Sequence, residues 1–298
     1  VLTELESLPD PRILTIPLQF GQLDTSSQPA AYLEMGSGPT LVLLHGFLGT
    51  GACWLPLMQK LRSHYRCISL DLLGFGNSGK PAIRYDIATE VAFVRQVVEA
   101  LNLGSCYFIG HSFGGWVAAA YALQYPNAVN GLVLAAAAGI RDDSFCGRYD
   151  HLRPLLWPVP VVDWGLHLVK PLAGLLGQRA AIAQLSWFRQ ELKAQPAARS
   201  FLLDRLRPED AIDTVEQQIH QLRLPTLVIT GDRDETIPLW HSQTYAKQIP
   251  SAELAIIPEA DHALPQKYAD EMAELILQFF ANQTDAISRH SSTHPSSS

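Results

Sequence analysis

Ser112 lies in Gly110-His111-Ser112-Phe113-Gly114, between an apolar, β-forming run at 106–109 and a helix-forming stretch that starts at Phe113. A G-x-S-x-G segment joining a strand to a helix is a nucleophile elbow, a turn so tight that the serine backbone is strained and its hydroxyl stands clear of the sheet. Gly110 and Gly114 lack the Cβ atoms that would collide where strand and helix cross. The pentapeptide alone is a weak signal because glycine is common; the strand before it and the helix after it make it specific. A serine hydroxyl is a poor nucleophile at neutral pH, so this chemistry needs a base within hydrogen-bond reach and a third group to orient that base. The oxyanion that develops needs two fixed N–H donors. Ten histidines and 29 acidic residues are available to supply the base and the orienting group.

Short apolar runs at 12–20, 30–35, 40–44, 66–70, 106–109, 131–135, 226–230 and 253–257 read as strands. Helical patterns at 53–62, 87–101, 113–124, 238–247 and 265–280 separate them. The first two strands read as an antiparallel hairpin, and the later alternation implies a parallel sheet covered on both faces. The expected fold class is therefore α/β, with a mostly parallel eight-stranded sheet. The alternation breaks at 140–224, where prolines punctuate helical stretches at 161–176, 179–194 and 197–206 that contain Trp164, Trp187, Phe188 and Phe201. That segment reads as a helical cap inserted into a core formed by residues 1–139 and 225–281. Residues 282–298 are polar and expected to be a disordered tail.

Composition narrows the function classes. Net charge is −7 with no long basic run, which argues against a nucleic-acid partner. Cys53, Cys67, Cys106 and Cys146 are widely spaced and read as buried thiols of a reducing compartment, not as a disulfide framework or a metal site. No eighteen-residue apolar run and no basic-then-apolar leader is present, so the expected location is cytoplasmic, without stable membrane insertion. A G-x-x-x-x-G-K-[ST] loop is absent, which disfavours nucleotide binding. The expected partner is a small-molecule substrate, no cofactor or metal is required, and the oligomeric state is left open.

With the elbow, a strand ending in His45-Gly46-Phe47 and a helical insertion in place, the chain resembles the α/β-hydrolase superfamily from about Leu14 to Phe280. Leu43 to Gly49 looks like that family's oxyanion loop, and Asp71 to Ser78 like the loop after the next strand. Gly231-Asp232-Arg233-Asp234 with Pro238 follows its pattern for the acid, and His262 lies where the family keeps its histidine. The resemblance implies a Ser112–Asp234–His262 triad, in the chain order this fold uses. It also implies backbone donors at Phe47 and Phe113. Asp232, Asp142 and Asp143 compete for the acid role, and Asp261 reads as a turn residue.

Haloalkane dehalogenases and epoxide hydrolases of this fold carry aspartate at the elbow, where this chain has serine. Hydrolases of carbon–carbon bonds in ring-cleavage products look closer overall. They usually place asparagine before the serine and tryptophan after the histidine, where this chain has His111 and Ala263. The expected reaction is therefore hydrolysis of a carboxylic ester with a small, largely apolar group, through an acyl-enzyme. The alternatives are carbon–carbon hydrolysis, a menaquinone-pathway type of elimination, and a small-molecule receptor with a slow triad. His111, Trp187 and Arg189 are the expected substrate-binding residues, with Arg189 a candidate partner for a substrate carboxylate. The cap tryptophans have a second reading, as glue between cap and core.

Overall fold

The computed structural model describes residues 10–16, 19–20, 23–24, 28–145, 161–175, 177–204 and 213–291. Eight strands form one sheet: β1 (Arg12–Ile16), β4 (Gln28–Met35), β5 (Thr40–Leu44), β6 (Arg66–Leu70), β7 (Cys106–His111), β8 (Val129–Ala135), β9 (Thr226–Gly231) and β10 (Ala252–Ile257). Their spatial order is β1-β4-β6-β5-β7-β8-β9-β10. Only β4 runs against its neighbours, pairing antiparallel with β1 and β6, and every pair from β6 to β10 is parallel.

The central strands are apolar at nearly every position because both faces are covered. Alternate side chains enter two separate cores. Val42, Leu44, Phe108, Leu132, Leu134 and Val228 pack with α2 (Ile87–Ala100), α3 (Phe113–Gln124) and Tyr245 and Ile249, at and just beyond the end of α7 (Leu239–Gln248). Leu41, Leu43, Ile109, Val133, Leu227 and Ile229 pack on the other face with α1 (Leu55–Leu61), α8 (Leu264–Lys267) and α9 (Ala269–Ser291). Helix α2 starts where the Asp86 side chain accepts the Thr89 N–H at 2.8 Å, satisfying a donor that has no partner within the helix.

Two boundaries differ from expectation. The first strand stops at Ile16, and a two-stranded ribbon, β2 (Gln19–Phe20) with β3 (Leu23–Asp24), interrupts the expected single hairpin. At the other end, α9 runs to Ser291, taking in the first ten residues of the disordered tail expected from 282. Residues 292–298 lie outside the described residues, as does Cys146.

Between β8 and β9 the described residues include the helices α4 (Val161–Leu175), α5 (Arg179–Ala194) and α6 (Pro196–Asp204), within the segment expected to form a cap. Helix α4 packs on α5, and α5 packs on α6. Helix α6 is seated on the core: the Phe201 ring lies 4.8 Å from that of Phe113 in an edge-on arrangement. The Tyr85 N–H donates to Ser200 Oγ at 3.2 Å.

Candidate active site

Ser112 sits between β7 and α3 with φ +51° and ψ −115°, outside the regions a non-glycine residue ordinarily occupies. Such a residue costs about 1–3 kcal/mol and persists only where its surroundings hold it. Here the Ser112 N–H donates to Ala135 O at 2.9 Å, and its carbonyl accepts from Gly115, Trp116 and Ala138 at 3.0, 3.2 and 3.0 Å. The crossing leaves no room for side chains. A Cβ on Gly110 would stand 2.2 Å from Gly114 O, and one on Gly114 would stand 2.2 Å from Leu44 O.

Asp234 follows β9, and its side chain is wholly buried. Its Oδ1 accepts the N–H groups of Thr236 at 2.8 Å and Ile237 at 2.9 Å, which fixes the carboxylate plane. Its Oδ2 lies 2.7 Å from His262 Nδ1. A carboxylate only accepts, so Nδ1 carries the proton and the lone pair of the neutral ring is on Nε2. Of the competing acids, Asp232 is exposed and the other two are engaged elsewhere, as is the turn residue Asp261. Asp142 accepts from His241 Nε2 at 3.1 Å, Asp143 pairs with Arg141 at 2.9 Å, and Asp261 Oδ1 accepts the Ala263 N–H at 3.0 Å.

Sequence reasoning placed His111 against substrate. The structure ties it instead to the histidine loop: His111 Nε2–H donates to the His262 carbonyl at 2.8 Å, and the two rings are 4.7 Å apart. Burial, reinforced by the neighbouring His262, pushes the His111 imidazole down to about 3, so it is neutral at physiological pH. No feature of the sequence pointed to this bond, which spans 151 residues.

The loop after β5 is held by His45. Its Nδ1–H donates to Gly46 O at 2.8 Å, while its Nε2 accepts the Leu72 N–H at 3.0 Å. Complete burial lowers the His45 pKa, which keeps this tautomer uncharged. Gly46 O also accepts the Gly49 N–H at 3.0 Å across a turn in which Leu48 has φ +58°. In a trans peptide the N–H points opposite to the C=O, so the Phe47 N–H is aimed away from His45 and Gly49. A Cβ on Gly46 would stand 3.2 Å from Ser112 Cβ, so this peptide passes directly beside the serine. Phe113 opens α3, where its N–H has no acceptor within the helix.

Trp187 is exposed, whereas Arg189 is buried with its Nε 2.7 Å from Asp163 Oδ1 and its Nη2 3.0 Å from Oδ2. Lys193 joins the same carboxylate at 2.6 Å. Ser78 is structural: its hydroxyl donates to Asp71 O at 2.6 Å and accepts the Ala31 N–H at 3.0 Å. Among the described residues no three His, Cys, Asp or Glu side chains gather as metal ligands.

Residues 39–164 match the family model described as alpha/beta hydrolase fold. A 2-hydroxymuconate semialdehyde hydrolase from Pseudomonas sp. (strain CF600) is 30% identical over 259 residues, covering 83% of this chain and 89% of the relative. The chain belongs to the alpha/beta hydrolase fold family. Another member of that family, a 2-hydroxy-6-oxo-6-(2'-aminophenyl)hexa-2,4-dienoic acid hydrolase from Metapseudomonas resinovorans, is 27% identical, covering 85% of this chain and 88% of the relative. Among solved alpha/beta hydrolase structures, a meta-cleavage product hydrolase from Pseudomonas fluorescens IP01 is 27% identical with a TM-score of 0.66, covering 86% of this chain and 95% of that one. A thermophilic esterase from Thermogutta terrifontis, 21% identical with a TM-score of 0.70, covering 91% of this chain and 98% of that one, shares the fold. The chain is thus a serine hydrolase of the alpha/beta hydrolase fold; the esterase, at 21% identity, shows the fold alone, and the finer expectation of ester cleavage has no support among the relatives at 27–30% identity.

Proposed function

We propose that this enzyme hydrolyses a carbon–carbon bond beside a ketone in a small ring-cleavage product, a reading expected only as the alternative to ester cleavage. What carries it is the kinship along nearly the whole chain to relatives whose names specify 2-hydroxy-6-oxo-dienoic acids or a closely related semialdehyde. Such a compound becomes cleavable once its 2-hydroxy-diene tautomerises to a 2-oxo-3-ene. The electron pair left by breaking the C5–C6 bond then spreads into a conjugated enolate. Ser112 Oγ attacks C6, and His262 Nε2 takes the serine proton as general base. The same proton passes to the enolate oxygen once the bond has broken, which releases a 2-hydroxy-2,4-dienoic acid and leaves an acyl-serine. Water, activated by His262, releases the second acid.

Asp234 supports this cycle by holding the Nδ1 proton and stabilising the imidazolium. The N–H groups of Phe47 and Phe113 serve the C6 oxyanion, each worth about 3 kcal/mol in the transition state. Residues 140–224 act as the cap that shapes the substrate cavity.

A second reading keeps the ester substrate, and one observation favours it. Arg189, the residue expected to grip a substrate carboxylate, is already bidentate with Asp163, which suits an uncharged ligand better. Loss of the long-wavelength absorbance of a 2-hydroxy-6-oxo-dienoate, run beside p-nitrophenyl butyrate, separates the two. Turnover of the dienoate that disappears in Ser112→Ala supports carbon–carbon hydrolysis. Turnover of the ester alone overturns it.

A further inference from the structure

Helix α2 buries Ile87, Val91, Phe93, Val94, Val97 and Val98, and among these apolar side chains it also buries a glutamate, Glu90. Glu90 has no exposed surface, and its Oε1 has no hydrogen-bond partner among the described residues. Burying a carboxyl group costs free energy that a leucine at the same position would not. Burial pushes the Glu90 carboxyl well above the ordinary carboxylate range, which favours its neutral form. No step assigned to Ser112, Asp234 or His262 uses this side chain.

Glu90 reaches the loop that follows β6. Its Oε2 accepts the Leu73 N–H at 3.1 Å, and the N–H of the preceding residue, Leu72, goes to His45 Nε2 at 3.0 Å. Leu72 and Leu73 are both fully buried, so neither N–H has water as a substitute acceptor. Two successive donors are thus divided between α2 and the histidine that holds Gly46 O, and the Phe47 N–H belongs to that same Gly46 peptide. The loop has little room to settle elsewhere. A Cβ on Gly74 would stand 2.6 Å from Ala197 Cβ on α6 and 2.6 Å from the Tyr85 ring, while the Gly74 N–H donates to Gly79 O at 2.8 Å.

We propose that Glu90 is a positioning residue for the oxyanion site, acting through Leu73, Leu72 and His45 on the Phe47 N–H. The proposal rests on the reading of Ser112 as nucleophile and Phe47 as oxyanion donor, and holds whichever bond the enzyme cleaves. Without an acceptor on α2, the Leu73 N–H is left buried and unpaired, a cost the loop relieves by turning its peptides toward another acceptor. The Leu72 N–H turns with them and leaves His45 Nε2. Nothing then fixes the His45 tautomer that donates to Gly46 O, and the Phe47 N–H loses its aim. Ser112, Asp234 and His262 keep their own bonds, so reactivity falls while binding does not.

The test is the kinetics of Ser112 labelling by a fluorophosphonate, with the limiting rate and the half-saturating concentration measured separately, in the intact protein, Glu90→Leu and Glu90→Gln. Leucine removes the acceptor, and glutamine keeps an oxygen for the Leu73 N–H. Thermal melts establish that each variant is folded at the assay temperature; Glu90→Met takes the place of the leucine variant if leucine does not fold. The limiting rate should fall about tenfold in Glu90→Leu, short of the roughly 10²- to 10³-fold lost with a whole oxyanion donor. Half-saturation should stay unchanged, and Glu90→Gln should regain most of the rate. Adding Glu90→Leu to His45→Leu should slow labelling no further. The proposal is overturned by a folded leucine variant that melts lower yet labels at the normal limiting rate, or by a glutamine variant as slow as leucine. A further tenfold loss on top of His45→Leu also overturns it, because Glu90 then acts by another route. An intact protein that is not labelled, or is labelled equally after Ser112→Ala, instead defeats the Ser112 reading and the proposal with it.

Discussion

Replacing His111 with leucine removes a side-chain bond that ties the elbow to the histidine loop, the 2.8 Å contact between His111 Nε2 and His262 O. A side-chain hydrogen bond lost this way, with its acceptor left unsatisfied, costs about 1–3 kcal/mol. Two outcomes compete for that energy. If the bond only supports the fold, the loss appears in the melting temperature. If it also sets the position of the His262 ring relative to Ser112, part of it appears in the transition state. At about 1.4 kcal/mol per tenfold, full expression there slows the reaction about 5- to 150-fold. Glutamine is the informative control, because its terminal N–H reaches about as far as Nε2 and donates without an ionisable ring. We expect His111→Leu to slow labelling of Ser112 by a fluorophosphonate and to lower kcat with little change in KM, and His111→Gln to restore most of both. A folded leucine variant that labels at the normal rate, or a glutamine variant as slow as leucine, refutes a positioning role.

Other consequences follow from the same geometry. Gly114→Ala places a methyl 2.2 Å from Leu44 O and 2.5 Å from His45 O, both backbone atoms, so denaturant titration should show a loss of at least about 3 kcal/mol or no folded protein. Because the folded His111 imidazole is pushed down to about 3 from the ordinary 6.5, the unfolded chain binds the extra proton between those values. Stability is therefore intact above pH 6.5 and falls by up to about 1.4 kcal/mol per pH unit below it, and His111→Gln should flatten that slope in pH-dependent melts. Burial pushes the Cys67 thiol up to about 12 and that of Cys106 up to about 11, so both should resist iodoacetamide at neutral pH until the protein unfolds, as peptide mapping would show. Asp234→Asn leaves Nδ1–H an amide oxygen in place of a carboxylate. It should cut turnover by about 10⁴-fold with the fold retained, and a loss below tenfold would remove Asp234 from its role.

The sheet strands were legible because each central strand is a continuous apolar run with buried neighbours, a pattern that survives without tertiary information. The first strand was misjudged because Gln19–Phe20 looks like its continuation, whereas pairing with Leu23–Asp24 depends on an intervening turn. The end of α9 was misjudged for a different reason. Residues 282–291 are mostly polar and show no apolar periodicity, yet extending an existing helix needs no new nucleation. Ser112 announces itself because its geometry is local. The choice of acid depended on chain order, and only tertiary placement shows Asp142 held by His241, 99 residues away. Arg189 is the opposite case, since its pairing with Asp163 joins two helices whose packing no single sequence displays.

Residues 136–225 connect β8 to β9, strands that lie side by side in the sheet. Closing a loop of about ninety residues instead of about ten costs only about 2 kcal/mol more, since the entropy grows with the logarithm of length. The β8–β9 register, Leu132 against Thr226 through Ala135 against Ile229, does not depend on what lies between. The gap therefore behaves as an insertion port in the gene. Segments of very different length can be spliced there while the Ser112 elbow and the Asp234 and His262 turns stay in place, so new substrate ranges can be sampled by recombination without disturbing the proposed triad.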